Sequence, residues 1–205
     1  AMADTKSYDE ELKAAFPSIV QDEAAQEALS HFLVAKDLLP AITRYLHPQP
    51  NLHGRLTLLW AADNRPLRDS FGLHYLFTLA SSQRWVLLST ELTVDDRIFP
   101  SITPHIHAAK WYEREIRDMF GLIPQGHPDL RRLVRHEHWP KGTHPLKKDF
   151  PWDRAIGRQQ GEHHFRRIEG EGVFQVPVGP IHAGIIAPGP FRFSVAAEPI
   201  KQLDL

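Results

Sequence analysis

Between Trp111 and Pro151 the chain packs acids, bases and imidazoles more densely than a solvated helix face requires. Glu113, Glu115 and Asp118 could supply a carboxylate pair for general acid–base work, and Glu115 and Asp118 stand i, i+3 on one helical face. Arg114 and Arg117 are interleaved with them, so the same carboxylates also read as neutralised ion pairs. His127, His136, His138 and His144 cluster beside Glu137, with His163 and His164 beyond, and imidazole with carboxylate is zinc chemistry. Helical metal sites space their ligands three or four apart, whereas His136 and His138 would need a strand or loop to present both rings. The His105-x-His107 pair has the same spacing. A metal-dependent hydrolase using the His127–His144 cluster is one reading; hydrogen-bonded surface histidines are the other. Arg131, Arg132, Arg135, Lys141, Lys147 and Lys148, mixed with Trp139 and Phe150, have the residue types of a nucleic-acid groove. Asp129, Glu137 and Asp149 sit among them, which suits protein–protein ion pairs with bidentate arginines better than a phosphate track. No glycine-rich phosphate loop or nucleophile elbow is present.

These side chains need elements to hold them. Thr103-Pro104 offers an N-cap and a first-turn proline, and Ala109, Tyr112, Ile116 and Met119 then form an apolar stripe. A helix ending at Gly121, with a heavily charged outer face, is predicted. Residues 8–15 predict a short helix stopped by Pro17. Asp22 would cap a longer one, with Ala25, Ala28, Leu29, Phe32 and Leu33 at helical spacing, running to about Leu38 and ended by Pro40. Leu56–Ala61, the alternating Leu73, Tyr75, Phe77 and Leu79, and Trp85–Leu88 predict strands, with Ser81-Ser82 as a turn. Strands this close in sequence favour an antiparallel meander. Residues 122–172 are rich in Pro, Gly and charge, and a connection that long is normally functional or disordered. Val173–Val176 and Phe191–Val195 read as strands, with Gly179-Pro180 and Pro188-Gly189 as turns. The expected fold class is α+β: an antiparallel sheet covered by helices, then an extended Pro/Gly-rich segment and a short β-rich C-terminal piece.

Composition narrows the function classes. With 42% hydrophobic and 24% charged residues the chain is of ordinary globular type. A formal net charge of −1 provides no global field toward nucleic acid or an anionic membrane. The charge is uneven: acids dominate residues 1–40 and bases gather between 110 and 170, as in a local docking surface for an acidic partner. No apolar run reaches the ~20 residues of a membrane helix, and no secretory leader is visible. Ala1 before Met2 reads as a tag-cleavage scar. With no cysteine, the chain can form no disulfide and can supply no thiolate to a cluster or nickel site.

Three linked blocks carry a resemblance. Glu113-Arg114-Glu115-x-x-Asp118-Met119-Phe120-Gly121, Gly126-His127-Pro128-Asp129-Leu130-Arg131-Arg132 and His144-Pro145-Leu146-Lys147-Lys148-Asp149-Phe150-Pro151 look like the signature of the C-subunit family of NADH:quinone oxidoreductase, from the peripheral arm of respiratory complex I. Further on, Val176–Ile186 and Pro188–Val195 resemble the opening of a formate hydrogenlyase-type membrane-bound [NiFe] hydrogenase large subunit, a group in which a C-subunit-like domain is fused ahead of the large one. Ala187 and Pro190 depart from that group, which tends to carry Glu and His there.

The resemblance implies residues 1–21 as an N-terminal segment, 22–152 as the C-subunit-like domain of complex I type, 153–172 as a linker and 173–205 as the start of a large-subunit-like β segment. It implies a non-catalytic module, inactive alone, that binds no cofactor and braces the large electron-transfer subunit, with the large and small subunits of a hydrogenase or complex I as its partners. Glu113, Arg114, Glu115, Asp118, His127, Arg131, Arg132, His144, Lys147 and Asp149 would be partner-binding, partly through ion pairs that fix the docking geometry. His182 falls at a quinone-pocket-like position. The [NiFe] centre and iron–sulfur clusters would belong to the complete complex, at the cytoplasmic inner face of the membrane. Because Leu205 is reached without a Cys-x-x-Cys motif, the chain is expected to be an N-terminal piece of a longer fused protein, or else a short relative whose catalytic part is separate. Its C-terminal strands could also self-associate.

Overall fold

A computed structural model describes residues 5–22, 28–47, 54–80, 82–153, 155–161, 167–182, 184–185, 187–196 and 199–204. The chain divides into two compact units, residues 1–160 and 161–205. The first runs α1 (Thr5–Ala15), β1 (Val20–Gln21), β2 (Leu29–Leu33), a 3₁₀ turn (Lys36–Leu38), α2 (Leu39–Leu46), β3 (Gly54–Asp63), the single turn α3 (Arg65–Arg68), β4 (Ser70–Leu79), β5 (Arg84–Thr93), β6 (Ile98–Pro100), α4 (Ala109–Phe120) and β7 (Ile123–Gln125). Five strands form a sheet in the order β1-β2-β5-β4-β3, while β6 and β7 pair separately.

The meander is as expected: β3, β4 and β5 are antiparallel neighbours. Period-2 burial explains it. Phe71, Leu73, Tyr75, Phe77 and Leu79 of β4 and Val86, Leu88 and Leu92 of β5 point to one face and are buried. Tyr8 and Leu12 of α1, Leu39, Ile42 and Leu46 of α2, and Ala109, Ile116 and Phe120 of α4 join them in one core. Each fully buried Leu or Phe contributes roughly 1.5–3 kcal/mol. All three helices therefore cover the same face of the sheet.

Two helix predictions are corrected. The helix expected from Asp22 to Leu38 is not formed: residues 29–33 are strand β2, with Ser30 and Phe32 buried, and β2 lies parallel to β5 from Leu29↔Trp85 to Leu33↔Ser89. Its helical spacing was outweighed by the hydrogen-bond ladder with a strand over fifty residues away. Residues 23–27 lie outside the described part. Pro40 does not end a helix but stands in the first turn of α2, where its missing N–H costs nothing. Likewise α4 begins at Ala109, six residues after Thr103, and Thr103 is buried for another purpose. Ser81, half of the turn expected before β5, lies outside the described residues.

The face of the sheet opposite the helices carries a polar chain. Asp22 accepts from His31 Nδ1 at 3.0 Å, and Ser89 Oγ lies 2.8 Å from both His31 Nε2 and His74 Nδ1. Burial, and then His31, push the His74 pKa below its ordinary 6.5. A histidine depressed on folding binds its proton better in the unfolded chain, so its stability contribution is complete above about 6.5 and is lost as pH falls below that. The urea midpoint is expected to drop on acidification through this window. The drop should be shallower in His74→Asn, whose amide keeps a donor for Ser89; identical slopes would refute the assignment.

The second unit is a three-stranded antiparallel sheet of β8 (Val173–Ile181), β9 (Gly189–Ala196) and β10 (Ile200–Asp204), with β9 central. Gly179-Pro180, expected as a turn, lies within β8. Among the described residues no helix is long and apolar enough to cross a membrane.

Candidate partner-docking site

Helix α4 places its charges in an unexpected direction. The apolar stripe meets the core, as the pattern requires, but Glu113, Arg114 and Asp118 are buried too rather than lying on an outer face. Burying ionised groups is costly unless each finds partners, and each does, in the segment that follows.

Glu113 is completely buried. Its Oε2 accepts from Ser101 Oγ at 2.5 Å and Thr103 Oγ1 at 2.6 Å, and its Oε1 from the Ile102 amide at 2.7 Å. Burial raises its pKa, with these three donors opposing. The carboxylate thus fastens α4 to the turn after β6. His127 lies beside it, Nε2 to Oε2 3.9 Å. The Asp129 amide donates to His127 Nδ1 at 3.0 Å, which leaves the ring proton on Nε2 to donate to the Lys110 carbonyl at 3.1 Å. Glu113→Ala is expected to cost about 3–5 kcal/mol, because three buried donors lose their acceptor. Glu113→Gln should cost far less, since the two hydroxyls can rotate toward the amide. Equal losses in urea denaturation would show that shape, not hydrogen bonding, is what Glu113 supplies.

Asp118 works as a latch. Its Oδ2 accepts the amides of Leu133, Val134 and Arg135 at 2.8, 3.0 and 3.3 Å, and its Oδ1 lies 3.5 Å from Arg135 Nη2. Burial alone would raise its pKa; the three amides and the Arg135 charge outweigh it and hold it below the usual range. Arg114 repeats the pattern with opposite sign, donating to the carbonyls of Arg131 at 2.9 Å and Arg132 at 2.8 Å. Arg117 donates to the Leu130 carbonyl, Arg132 to those of His136 and Trp139, and Arg135 to that of Thr143. His144 Nδ1 donates to the Asp118 carbonyl at 2.9 Å, and the Leu146 amide to that of Met119 at 3.1 Å. The sequence after α4 therefore has little periodicity because side chains of the helix replace a regular ladder.

The end of this segment is tied back to the sheet. Asp63, at the end of β3, pairs with Arg65 at 2.6 Å and accepts the Lys148 amide at 2.8 Å. The Arg65 guanidinium, against burial and with the Lys148 amide assisting, holds Asp63 at about 2. Arg65 also bridges to Asp149 at 2.7 Å, and both it and Lys147 stand over the Phe71 ring, at 5.0 and 6.0 Å. Asp63 and Arg65 were not singled out from sequence. Nothing in a linear reading joins residues 84 positions apart.

The expected partner-binding residues thus fall into three groups. Glu113, Arg114, Asp118 and His127 are buried; Glu115, Arg131 and Asp149 are exposed, with Arg132, His144 and Lys147 between. His127 and His144 do not converge. They bond carbonyls eight residues apart on α4, a rise of about 12 Å. Among the described residues no group of three or more His, Cys, Asp or Glu could hold a metal ion. His182 follows β8 and is exposed.

The first unit is thus an α+β domain whose motif helix latches a long irregular segment. The chain belongs to the family of the respiratory-chain NADH dehydrogenase 30 Kd subunit, whose model matches residues 32–155. Among its relatives are hydrogenase-4 component G of Escherichia coli K12, 37% identical over 94% of this chain and 35% of that protein, and formate hydrogenlyase subunit 5 of the same organism, 34% identical over 94% and 35%. The chain spans about a third of the length of these curated relatives. A chain of the membrane-bound sulfane sulfur reductase, an archaeal respiratory membrane complex, superposes with a TM-score of 0.62 at 20% identity, over 72% of this chain and 85% of that one. At that identity the likeness is one of fold.

Proposed function

We propose that this chain is a non-catalytic docking module of a multisubunit, membrane-associated oxidoreductase of the hydrogenase type, and that it braces the large electron-transfer subunit. The observation that carries this is the extent of the matches. The family model ends at residue 155, whereas the two hydrogenase relatives match 94% of the chain and so reach into the second unit. Residues 1–21, 22–152, 153–172 and 173–205 then serve as N-terminal segment, complex I-type domain, linker and large-subunit-like β segment, fused in that order. The cytoplasmic inner face of the membrane is the corresponding location.

In this reading the buried Glu113, Arg114, Asp118 and His127 shape the surface, and Glu115, Arg131, Arg132, His144, Lys147 and Asp149 present it. A nickel–iron centre and iron–sulfur clusters would belong to the complete complex. The chain has no cysteine, so its own residues do not fit such groups. His182 would line a quinone-like pocket only where the complex keeps one. The outer strands β8 and β10 could pair with a partner or with a second copy.

The test is purification of the tagged full chain from gently solubilised membranes. Stoichiometric recovery of the hydrogenase large and small subunits is expected, with no nickel, iron or zinc bound to the chain alone. Recovery of the chain by itself, or with stoichiometric metal, would overturn the proposal.

A further inference from the structure

Beside the latch lies a cavity of ≈ 560 Å³ into which Arg117, Arg131, Arg132, Arg135, Lys141 and His144 all project a face. Among the described residues no Asp or Glu lines it. Asp129 pairs with Arg131 at 2.8 Å and Asp118 with Arg135 at 3.5 Å, and neither carboxylate lines the cavity. Asp129 is shared, since Arg114 and Lys110 also approach it, at 3.9 and 4.0 Å. The guanidiniums of Arg117 and Arg132 are held by neutral carbonyls, which fix their position without cancelling their charge. Positive charge is therefore in surplus here, in a chain of net charge −1.

A second observation concerns Arg135, which lines the same cavity. Arg135 is only 8% exposed, and its Nε is buried with no hydrogen-bond partner. Leaving such a donor unmet costs about 1–3 kcal/mol. Burial, and then the charges of Arg132 and Arg117, press its pKa down against the pull of Asp118. A carboxylate entering the cavity would relieve this crowding of like charges. The character of the rest of the lining decides what brings that carboxylate. Ile123 and Leu130 belong to the same cavity and are 44% and 37% exposed. A free inorganic anion would leave them in water, whereas a peptide with aliphatic residues beside its acid would cover them.

We propose that this cavity receives an Asp or Glu side chain from an acidic, aliphatic-flanked segment of the partner subunit. The inference rests on the docking function proposed above and names the chemistry by which one part of the surface recognises its partner. Arginines fixed in advance by carbonyl bonds lose little freedom when they bind a carboxylate, so the cost of ordering them is already met in the folded chain.

Lys141 gives the test, because it is exposed and forms none of the latch bonds. Carbodiimide treatment of the intact complex joins an amine to a carboxylate only where the two touch. Mass spectrometry should find Lys141 Nζ linked to an Asp or Glu of another subunit. Lys141→Glu should weaken assembly about 10-fold and reduce its salt dependence, with thermal stability of the chain unchanged. If the wild-type complex assembles but Lys141 yields no cross-link and Lys141→Glu assembles equally well, the pocket is not the contact and only this inference falls. If the chain assembles with no subunit, the docking function itself falls and this inference with it. If inorganic phosphate raises the melting temperature of the wild type but not of Lys141→Glu, while assembly is unaffected, the site takes a small anion and the proposal is overturned.

Discussion

Replacing Asp118 by alanine is expected to destabilise the chain by about 3–5 kcal/mol and to open the segment that follows helix α4. The carboxylate is 1% exposed and is the acceptor for three consecutive backbone amides. Without it, Leu133, Val134 and Arg135 keep buried or half-buried N–H groups with no helix or strand to receive them, each costing roughly 1–3 kcal/mol before relaxation. Arg135 also loses its nearest countercharge. The apolar side of α4 is untouched, with Ile116 and Phe120 still in the core, so the loss should concentrate in residues 126–151 and not in the sheet. Limited trypsin digestion should therefore show faster cleavage after Arg131, Arg132, Arg135 and Lys141, out of proportion to the fall in the urea midpoint. Asp118→Asn should lie between, because its carbonyl oxygen still accepts but its charge is gone. Unchanged cleavage together with a loss below about 1 kcal/mol would mean that the latch is held by something other than Asp118.

The parts of this architecture that were legible in the sequence are those whose partners lie close along the chain. The alternation of Leu73, Tyr75, Phe77 and Leu79 fixes β4 because one face of a strand repeats every second residue. The stop at Gly121 is equally local. Strand β2 was not legible, since Leu29, Phe32 and Leu33 fit a helix until a distant β5 offers its ladder. Pro40 misled for a related reason: its missing N–H is compatible with the end of one helix or the start of the next, and only the packing of Leu39, Ile42 and Leu46 decides. The motif residues were legible as a set but not in their direction. Charge in a sequence suggests solvent, and the fate of Glu113 and Asp118 depends on donors from Ser101 to Thr103 and Leu133 to Arg135 that the helix pattern does not contain.

That placement changes what the charges of α4 do. A surface ion pair contributes little, about 0–1 kcal/mol, and is screened by salt. A buried carboxylate that gathers several backbone amides is directional, because the amides must converge on one point. Segment 126–151 has few apolar contacts with which to choose a conformation, and these convergent bonds choose it. Docking through a long loop requires such preorganisation, since an unordered loop would lose affinity to the entropy of ordering it.

Gly121 sets the geometry at the hinge of this arrangement, and its replacement is also expected to be costly. At φ +75° it occupies the left-handed region, and a Cβ there would lie 2.6 Å from His144 Nε2 and 2.9 Å from two ring carbons. Gly121→Ala therefore combines a backbone cost of about 1–2 kcal/mol with displacement of a ring that donates to the Asp118 carbonyl, for a total of about 2–4 kcal/mol. The two causes can be separated. His144→Ala alone loses one hydrogen bond, about 1 kcal/mol. In the double variant Gly121→Ala/His144→Ala the clash is gone, and the backbone cost and the one lost hydrogen bond remain. Its loss of stability should therefore be smaller than the sum of the single losses by at least about 1 kcal/mol. Strict additivity in the cycle would show that the imidazole does not pack on the glycine, and that the left-handed backbone alone makes residue 121 a glycine.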